Sequence, residues 1–150
     1  MTTESRWFRC QPDADNPGWL RWTYTEGSPF NKQLGVLLVR TTDDRAIVRL
    51  SPHVGLTNFA GNLHGGAIMT FVDCALFVGS TLLTGKEMVS GVTVDLAVQF
   101  IAAARATAPV DTIVEITRET KRMIFLRGTV EQGDATVASF MGILRKPASE

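Results

Sequence analysis

The segment "NLHGGAIMTFVDCALFVGSTLL", residues 62–83, is the most apolar stretch of the chain, and it decides the fold. After its two glycines it contains no proline and no charge except the carboxylate of Asp73. A long segment that is apolar on most sides predicts a buried helix. Asn62 is a favourable N-cap type and Gly85 a C-terminal stop, so we expect one helix over about residues 64–84.

The same segment is almost long enough to span a membrane, since roughly 20 apolar residues suffice. Three observations argue against a span. Asp73 lies near its centre, where a charge is costly in a bilayer. No basic cluster flanks it, and the rest of the chain has the pattern of amphipathic strands. We therefore expect a core helix and no membrane association.

Composition indicates one globular domain over residues 1–150. The chain has 150 residues, 45% apolar and 20% charged, and its 15 basic residues balance 15 acidic ones. A net charge near zero argues against a nucleic-acid partner. The N-terminus lacks the apolar region of a secretory signal. Cys10 and Cys74 match no metal-binding spacing, so we expect a reduced, cytoplasmic protein without a metal site.

Downstream of the helix, the apolar periodicity changes to two, which is typical of strands. In residues 92–100 this alternation predicts one face with Val92, Val94, Leu96, Val98 and Phe100, and the other with Thr93, Asp95, Ala97 and Gln99. Further strands are predicted over 110–119, 123–131 and 135–144. They are separated by turns too short for a crossover, so the sheet is antiparallel.

Upstream of the helix, "LGVLLVR" and "AIVRL" flank "TTDD" and predict one more hairpin. The order is therefore two strands, one helix and four strands. This predicts an α+β domain in which one helix covers a six-stranded sheet. Residues 1–30 form an N-terminal extension of uncertain structure: "WLRWTY" fits either a strand or a short helix, and "DADNPG" fits a loop.

Asp73 is an unusual residue on this helix, because a lone ionised carboxylate in an apolar environment is costly unless it is paired. On a helical projection it falls in a stripe of small polar residues that includes Thr70 and Thr81. Two interpretations stay open. Asp73 is a hydrogen-bonded structural group at a subunit contact, or it is a catalytic carboxylate in a cleft.

The glycine pair at the helix start bears on that choice. Gly65 and Gly66 cost about 1 kcal/mol each relative to alanine, but they leave backbone N–H groups unobstructed at the positive end of the helix dipole. A tight entry into the helix is the alternative explanation. Gly65 and Asp73 are separated by about 12 Å of helix, whereas groups acting on one carbonyl lie within about 3–3.5 Å of it. A catalytic site therefore requires two antiparallel copies of the helix, which a two-fold dimer supplies.

These motif residues resemble a known family, the hot-dog-fold acyl-CoA thioesterases. The resemblance is greatest to the PaaI-like branch of the phenylacetate pathway, which includes the mammalian thioesterase superfamily member 2 type. It rests on a spaced set of residues, Asn58, Gly61, His64, Gly65, Gly66 and Asp73, and extends over about residues 34–145. The resemblance implies a six-stranded sheet wrapped around a central helix, dimers with active sites at their interface, and pairing of dimers into homotetramers.

The resemblance also implies roles for individual residues. Asp73 is the nucleophile or the general base that activates water, and the Gly65 N–H of the other subunit polarises the thioester carbonyl. Asn58 holds the attacking water or the substrate, although an Asx turn is the alternative. Thr93 supplies a hydroxyl beside the carboxylate, unless it is an ordinary strand residue. His64 supports the glycine turn rather than acting as a base.

The resemblance also implies residues that bind the substrate. His64 and Gly66 belong to the loop that meets the substrate, and Met69 and Phe77, together with Phe71, are expected to line an acyl tunnel. Lys121 and Arg122 are expected to contact the coenzyme A phosphates, although a solvated hairpin tip explains them equally well. Asp95 is a competing carboxylate, for which a solvated or paired role is the simpler explanation.

The predicted function is hydrolysis of an acyl-CoA thioester to a free acid and coenzyme A, without a metal or redox cofactor. One alternative is a hot-dog dehydratase or hydratase, which requires a histidine paired with a carboxylate; the chain has two histidines and no Asp-x4-His pattern. The other alternative is a non-catalytic acyl-CoA binding or sensing module. The identity of the acyl group is not encoded in any motif.

Overall fold

The computed structural model describes residues 2–148, so residues 1, 149 and 150 of the predicted domain lie outside it. Two short 3₁₀ helices, Asn31–Leu34 and Val54–Leu56, accompany one α-helix and nine strands in this part of the chain. The main elements are β1 Thr3–Glu4, β2 Phe8–Pro12, β3 Leu20–Tyr24, β4 Leu37–Thr42, β5 Arg45–Leu50, α1 Gly65–Thr84, β6 Val92–Phe100, β7 Val110–Glu119, β8 Met123–Gln132 and β9 Ala135–Arg145.

The strands form a single antiparallel sheet in the order β1-β2-β3-β4-β5-β7-β8-β9-β6. Helix α1 packs on its inner face, chiefly against β5 and β7. This confirms the predicted α+β hot-dog architecture. The sheet has nine strands rather than six, because the six predicted strands are β4–β9 and the N-terminal extension adds three more.

The N-terminal extension is ordered because it buries an aromatic layer. Phe8, Cys10, Trp22 and Tyr24 alternate with exposed or half-buried residues along β2 and β3, and all four are buried. The Phe8 and Trp22 rings stack with centroids 3.8 Å apart. Alternation of this kind is the signature of a half-buried strand, so "WLRWTY" contains a strand and not a short helix.

The loop between β2 and β3 is organised by a buried carboxylate. Asp13 Oδ1 accepts hydrogen bonds from the backbone N–H groups of Asp15, at 3.1 Å, and Asn16, at 2.9 Å. Its Oδ2 accepts one from Arg21 Nε at 3.0 Å. The predicted "DADNPG" loop is therefore fixed by hydrogen bonds to one side chain.

The N-cap of helix α1 lies two residues after Asn62, the residue that the sequence suggested for this position. His64, not Asn62, is the N-cap, and its Nδ1 accepts from the Gly66 N–H at 2.9 Å. Asn62 instead forms a β-bridge with Arg105. The helix ends as predicted at Gly85, which has the left-handed φ of 68° that favours glycine.

The central helix lies very close to the sheet. A Cβ on Gly79 would stand 2.9 Å from the side chain of Val114 on β7, so only glycine fits there. By length and composition, Gly65–Thr84 could cross a membrane. In the structure the helix is the core element of the domain, and half of its most apolar window is buried.

Strand β6 forms one end of the sheet and contains a β-bulge between Thr93 and Asp95. Before the bulge Thr93 lies opposite Leu144, and after it Leu96 lies opposite Gly142, both on the inner face. The predicted alternation of inner and outer side chains is therefore correct from Asp95 onwards. Thr93 belongs to the inner face, and Val92 and Val94 are exposed.

Candidate active site

Asp73 lies on α1 and is half-buried. Its two carboxylate oxygens differ in their hydrogen bonds. Oδ1 accepts a hydrogen bond from Thr93 Oγ1 at 2.6 Å, across the gap between α1 and β6. No donor among residues 2–148 bonds to Oδ2. A carboxylate anchored through one oxygen keeps the other for a substrate or a water molecule, in a fixed direction.

Two apolar side chains flank Asp73 along α1. Met69 and Phe77 lie one turn before and one turn after the carboxylate, on the same stripe of the helix. Met69 is exposed and Phe77 half-buried. Phe71, the third side chain predicted to line an acyl tunnel, is fully buried in the core and lies away from this stripe. The carboxylate therefore has an apolar side chain one helical turn away on either side.

The start of α1 presents backbone donors that are unpaired among residues 2–148, and Gly65 carries the first of them. The Gly66 N–H donates to His64 Nδ1 at 2.9 Å, so the histidine contacts the glycine turn. The Gly65 N–H is bonded to no acceptor in the described part of the chain. Gly65 is also half-buried. The first residue of the helix is therefore a donor held at the positive end of the helix dipole.

Asn58 forms the loop that leads into the helix. Its Oδ1 accepts from the N–H groups of Ala60, at 2.9 Å, and Asn62, at 3.1 Å. These bonds make Asn58 an Asx-turn residue, one of the two interpretations of its role. Its side-chain amide nitrogen bonds to none of residues 2–148, so a donor remains for a water or substrate contact.

The chain does not bring its two predicted reactive groups together. Gly65 is the first residue of a 20-residue helix, and Asp73 follows about two turns, or 12 Å, later. Asp95, the competing carboxylate, is exposed and lies opposite Ile143 on the outer face of the sheet. Within one copy, the site therefore consists of two separate parts.

A buried pair that sequence reasoning missed lies behind Asp73. The Tyr24 hydroxyl on β3 contacts the Cys74 thiol, and both side chains are buried. Burial raises the pKa of Cys74 to about 12, and the negative charge of Asp73 adds to that rise. Burial also raises the pKa of Tyr24 well above its ordinary value. The thiol is therefore protonated at neutral pH, which leaves the neighbouring carboxylate as the reactive group.

Lys121 and Arg122 lie at the turn between β7 and β8, as predicted, and both are exposed. With Arg145 and Lys146 they line a groove of about 580 Å³. Val92, the residue before Thr93, also lines this groove. The basic turn is therefore next to the strand that carries the hydrogen-bond partner of Asp73.

No group of three or more histidine, cysteine, aspartate or glutamate side chains in residues 2–148 is arranged to hold a metal ion. The buried unpaired polar atoms include Ser80 Oγ on α1 and Thr112 Oγ1 on β7. Nothing in their surroundings explains these two hydroxyls.

Comparison with known proteins gives a family match. The model of the thioesterase superfamily matches residues 60–139, which include Gly65, Asp73 and Thr93. A search of curated proteins finds no match.

Three solved structures share the fold at low sequence identity. The PaaI protein from the E. coli phenylacetic acid degradation operon is 17% identical, with a TM-score of 0.68 over 83% of this chain and 88% of its own. Thioesterase superfamily member 2 from Mus musculus is 20% identical, with a TM-score of 0.67 over 79% and 87%. A hypothetical thioesterase from Streptococcus pneumoniae, solved with coenzyme A, is 16% identical, with a TM-score of 0.62 over 75% and 86%.

Proposed function

This chain belongs to the thioesterase superfamily, and on that premise we propose that it hydrolyses an acyl-CoA thioester to a free carboxylic acid and coenzyme A. The observation that carries the proposal is the state of Asp73: one oxygen is fixed by Thr93 at 2.6 Å, and the other is unpaired among the described residues. A solved fold neighbour that binds coenzyme A supports this substrate class.

The carboxylate has two chemical routes available. As a nucleophile, its free oxygen attacks the thioester carbon, the C–S bond breaks, and water then hydrolyses the mixed anhydride. As a general base, the same oxygen takes a proton from water while that water attacks the carbonyl; the C–S bond of the tetrahedral intermediate then breaks, and the coenzyme A thiolate leaves and takes up a proton. Both routes build negative charge on the carbonyl oxygen, and both require a donor directed at it.

The Gly65 N–H of a second copy supplies that donor in our proposal. It is unpaired in the described residues and lies at the positive end of α1. Because about 12 Å of helix separates it from Asp73 of its own chain, only a neighbouring copy brings the two to one carbonyl. A two-fold homodimer creates two identical sites of this kind, and a pair of dimers forms the proposed homotetramer.

The surface around β6 has the character of a subunit interface. Strand β6 ends the sheet with an unpaired edge, and Val92, Val94 and Phe100 on it are about half exposed. Met69, on the adjacent helix stripe, is 38% exposed. An apolar patch beside a free sheet edge is covered in most proteins, because it otherwise invites aggregation. In our proposal a second copy covers this patch and brings its Gly65 towards Asp73.

The acyl group is expected to lie between Met69 and Phe77, which flank the carboxylate. These side chains form an apolar lining, and a matching pair from the second copy closes it. Such a lining suits aryl-acetyl, hydroxybenzoyl and medium-chain acyl groups alike.

The test is an Asp73→Asn variant, assayed by release of coenzyme A thiol from a panel of aryl and fatty acyl-CoA esters. We expect kcat to fall by about 100- to 10,000-fold, as for loss of a general base or nucleophile. Asparagine keeps the shape and the acceptor for Thr93, so we expect unchanged circular dichroism and oligomeric mass.

The matched control is Asp95→Asn, which removes an exposed carboxylate from the other face of β6 and is expected to leave kcat unchanged. Near-normal turnover by Asp73→Asn contradicts the proposal. Tight binding of acyl-CoA by the wild-type protein without thiol release favours the non-catalytic binding module instead.

A further inference from the structure

A short hairpin precedes α1 and holds a phenylalanine in its turn. The Asn58 N–H donates to the Asn62 carbonyl at 2.8 Å, and the Gly61 N–H donates to the Asn58 carbonyl at 3.0 Å. The Asn58 side chain accepts two further hydrogen bonds within the turn. Phe59 lies between these bonds and is fully exposed. The turn therefore fixes the backbone of a large apolar residue whose side chain is left uncovered by its own chain.

Further apolar side chains are exposed at this end of α1. Phe100 and Ile101, where β6 ends, are both more than half exposed. The Phe100 ring lies beside Gly65, where an added Cβ would stand 3.5 Å from it. The segment after β6 also supports the hairpin, because Asn62 forms a β-bridge with Arg105. Exposed apolar side chains gathered in this way mark a surface that another molecule covers.

The proposed two-fold dimer decides what the hairpin meets. Because Gly65 of each copy faces Asp73 of the other in that dimer, the two copies of α1 run antiparallel. The chain that precedes Gly65 in one copy therefore lies on the side of the residues that follow Asp73 in the other. The turn stays within about 13 Å of Gly65, the span of four extended residues at about 3.3 Å each. Phe77 lies only about 6 Å beyond Asp73 along α1, so Phe59 of the second copy reaches it.

We propose that Phe59 of the second copy enters the site that contains Asp73 and forms the end wall of the acyl pocket beside Phe77. The proposal rests on the acyl-CoA hydrolysis proposed above. The thioester carbonyl lies between Asp73 and Gly65 of the second copy, and the acyl group extends from it past Phe77. Because the turn that carries Phe59 is held by hydrogen bonds, an acyl group too long for this space meets the ring. Phe59 therefore determines which acyl lengths the site accepts.

The first test compares the wild type with Phe59→Ala on straight-chain esters from butyryl-CoA to lauroyl-CoA. Alanine removes the ring, so we expect kcat/KM for the longest esters to rise at least about tenfold relative to butyryl-CoA, the usual effect of methylene groups that a hydrophobic pocket admits or rejects. Phe59→Trp enlarges the wall and should shift the preference towards shorter esters. Phe59 is exposed within its own chain, so both variants retain the fold.

Met141→Ala is the matched control. It removes an exposed apolar side chain from the outer face of β9, on the other side of the sheet from α1, and should leave the chain-length profile unchanged. An unchanged profile in Phe59→Ala overturns the assignment. This holds even when the variant dimerises less tightly, because that result makes Phe59 a subunit contact and not a part of the pocket.

Mixed dimers show which copy supplies the ring. One copy carries Asp73→Asn, so the only working carboxylate belongs to the other copy. When the Asp73→Asn copy also carries Phe59→Ala, the working site loses the ring, and we expect the profile of the Phe59→Ala homodimer. When the copy that keeps Asp73 carries Phe59→Ala instead, we expect the wild-type profile. The reverse pattern assigns the ring to the site of its own chain and overturns the proposal.

Binding separates this proposal from the proposed hydrolysis. Isothermal titration calorimetry gives Kd for the same esters with Asp73→Asn homodimers, with and without Phe59→Ala. The alanine change should favour the longest esters by a similar factor, whether or not the wild type hydrolyses them. A shift of this kind without turnover of any acyl-CoA by the wild type contradicts only the hydrolase. Turnover with the same chain-length profile in the wild type and Phe59→Ala contradicts only the role of Phe59.

Discussion

Thr93 fixes the direction in which the Asp73 carboxylate faces. Its hydroxyl donates to one oxygen at 2.6 Å, and a hydrogen bond to a charged group is worth about 1.5–3 kcal/mol. Asp73 sits on a rigid helix and Thr93 on a strand beside it, so the bond also ties two elements together. Thr93 touches the carboxylate and not the reacting carbonyl in our proposal, which makes it a positioning residue.

Thr93→Val keeps the volume and the branching of the side chain and deletes the hydroxyl. We expect kcat to fall about tenfold, because the carboxylate loses one charge-assisted hydrogen bond, and KM to change little. Thr93→Ser restores the donor and should recover most of the rate. Steady-state kinetics on the three proteins check this. A serine variant as slow as the valine variant would assign the loss to packing instead.

At the residue scale, the sequence pointed to Asp73 because a single carboxylate in an apolar helix demands an explanation. Thr93, the hydrogen-bond partner of Asp73, was predicted only from the family resemblance. Strict alternation along β6 had placed Thr93 on the face opposite to that of Leu96. Tyr24 and Cys74 were missed altogether. Their contact joins a strand of uncertain assignment to the helix, and no local pattern encodes a contact between side chains so distant in sequence.

Among the elements, the start of α1 carries the backbone donor of the proposed site. The N–H of its first residue, Gly65, bonds to none of residues 2–148, and His64 before it has an extended backbone, with φ −66° and ψ 138°. The residue before a proline prefers that conformation, and proline is favourable at the first position of a helix. The donor can therefore be deleted without disturbing the helix.

Gly65→Pro removes the N–H group, and Gly65→Ala retains it. We expect kcat to fall about 100- to 1000-fold in the proline variant, the usual loss for one oxyanion-hole donor. The alanine variant should stay close to wild type, because a Cβ there meets only the Phe100 ring, at 3.5 and 3.6 Å. Rates on one acyl-CoA substrate decide the matter. Equal losses in both variants would identify crowding, not the donor, as the cause.

The β2–β3 hairpin depends on an ionised group. The Asn16 amide and the Arg21 guanidinium lower the pKa of Asp13 below its ordinary value. Because the folded-state pKa is lower than the unfolded one, near 3.9, ionised Asp13 stabilises the fold fully above that value. The contribution disappears as the pH falls through the folded-state pKa.

Asp13→Ala should therefore lower the free energy of unfolding at pH 7, and the difference from wild type should shrink towards zero under acid conditions. Urea unfolding of both proteins from pH 7 down to pH 2 measures it. A difference that stays constant over this range would show that the loop does not depend on the charge.

Elements with a simple period could be predicted closely. Strands β7, β8 and β9 differ from their predicted bounds by at most one residue, because alternation and short turns leave little freedom. The prediction of Asn62 as the helix N-cap was wrong. Histidine is a rare cap type, and the hydrogen bond of His64 to Gly66 depends on the loop geometry. For the three N-terminal strands the sequence did not distinguish a strand from a short helix, because short strands carry little periodic signal.

For the whole molecule, the separation of Gly65 and Asp73 makes the dimer the proposed catalytic unit. Each copy gives its carboxylate to one site and its helix start to the other. A defect in either group therefore damages a site, but when different copies carry the two defects, both fall in the same site and the other site stays intact.

Purified mixed dimers of Asp73→Asn with Gly65→Pro test this arrangement. One of their two sites combines both defects, and the other is intact, so we expect activity at about half the wild-type value per dimer, as two isologous sites require. Each homodimer should be nearly inactive. Sites contained within single chains predict inactive mixed dimers as well, and that result would contradict the shared arrangement.

The bulge in β6 also determines how this strand can change in length. Val94 is the extra residue between Thr93 and Asp95, and a bulged residue is left unpaired. Deleting it would join those two residues in regular alternation and leave every remaining side chain on its present face. A deletion farther along, at Ala97 for example, would reverse the faces of all residues on one side of the gap. Homologous chains that are one residue shorter in this region can therefore keep the same contact between hydroxyl and carboxylate.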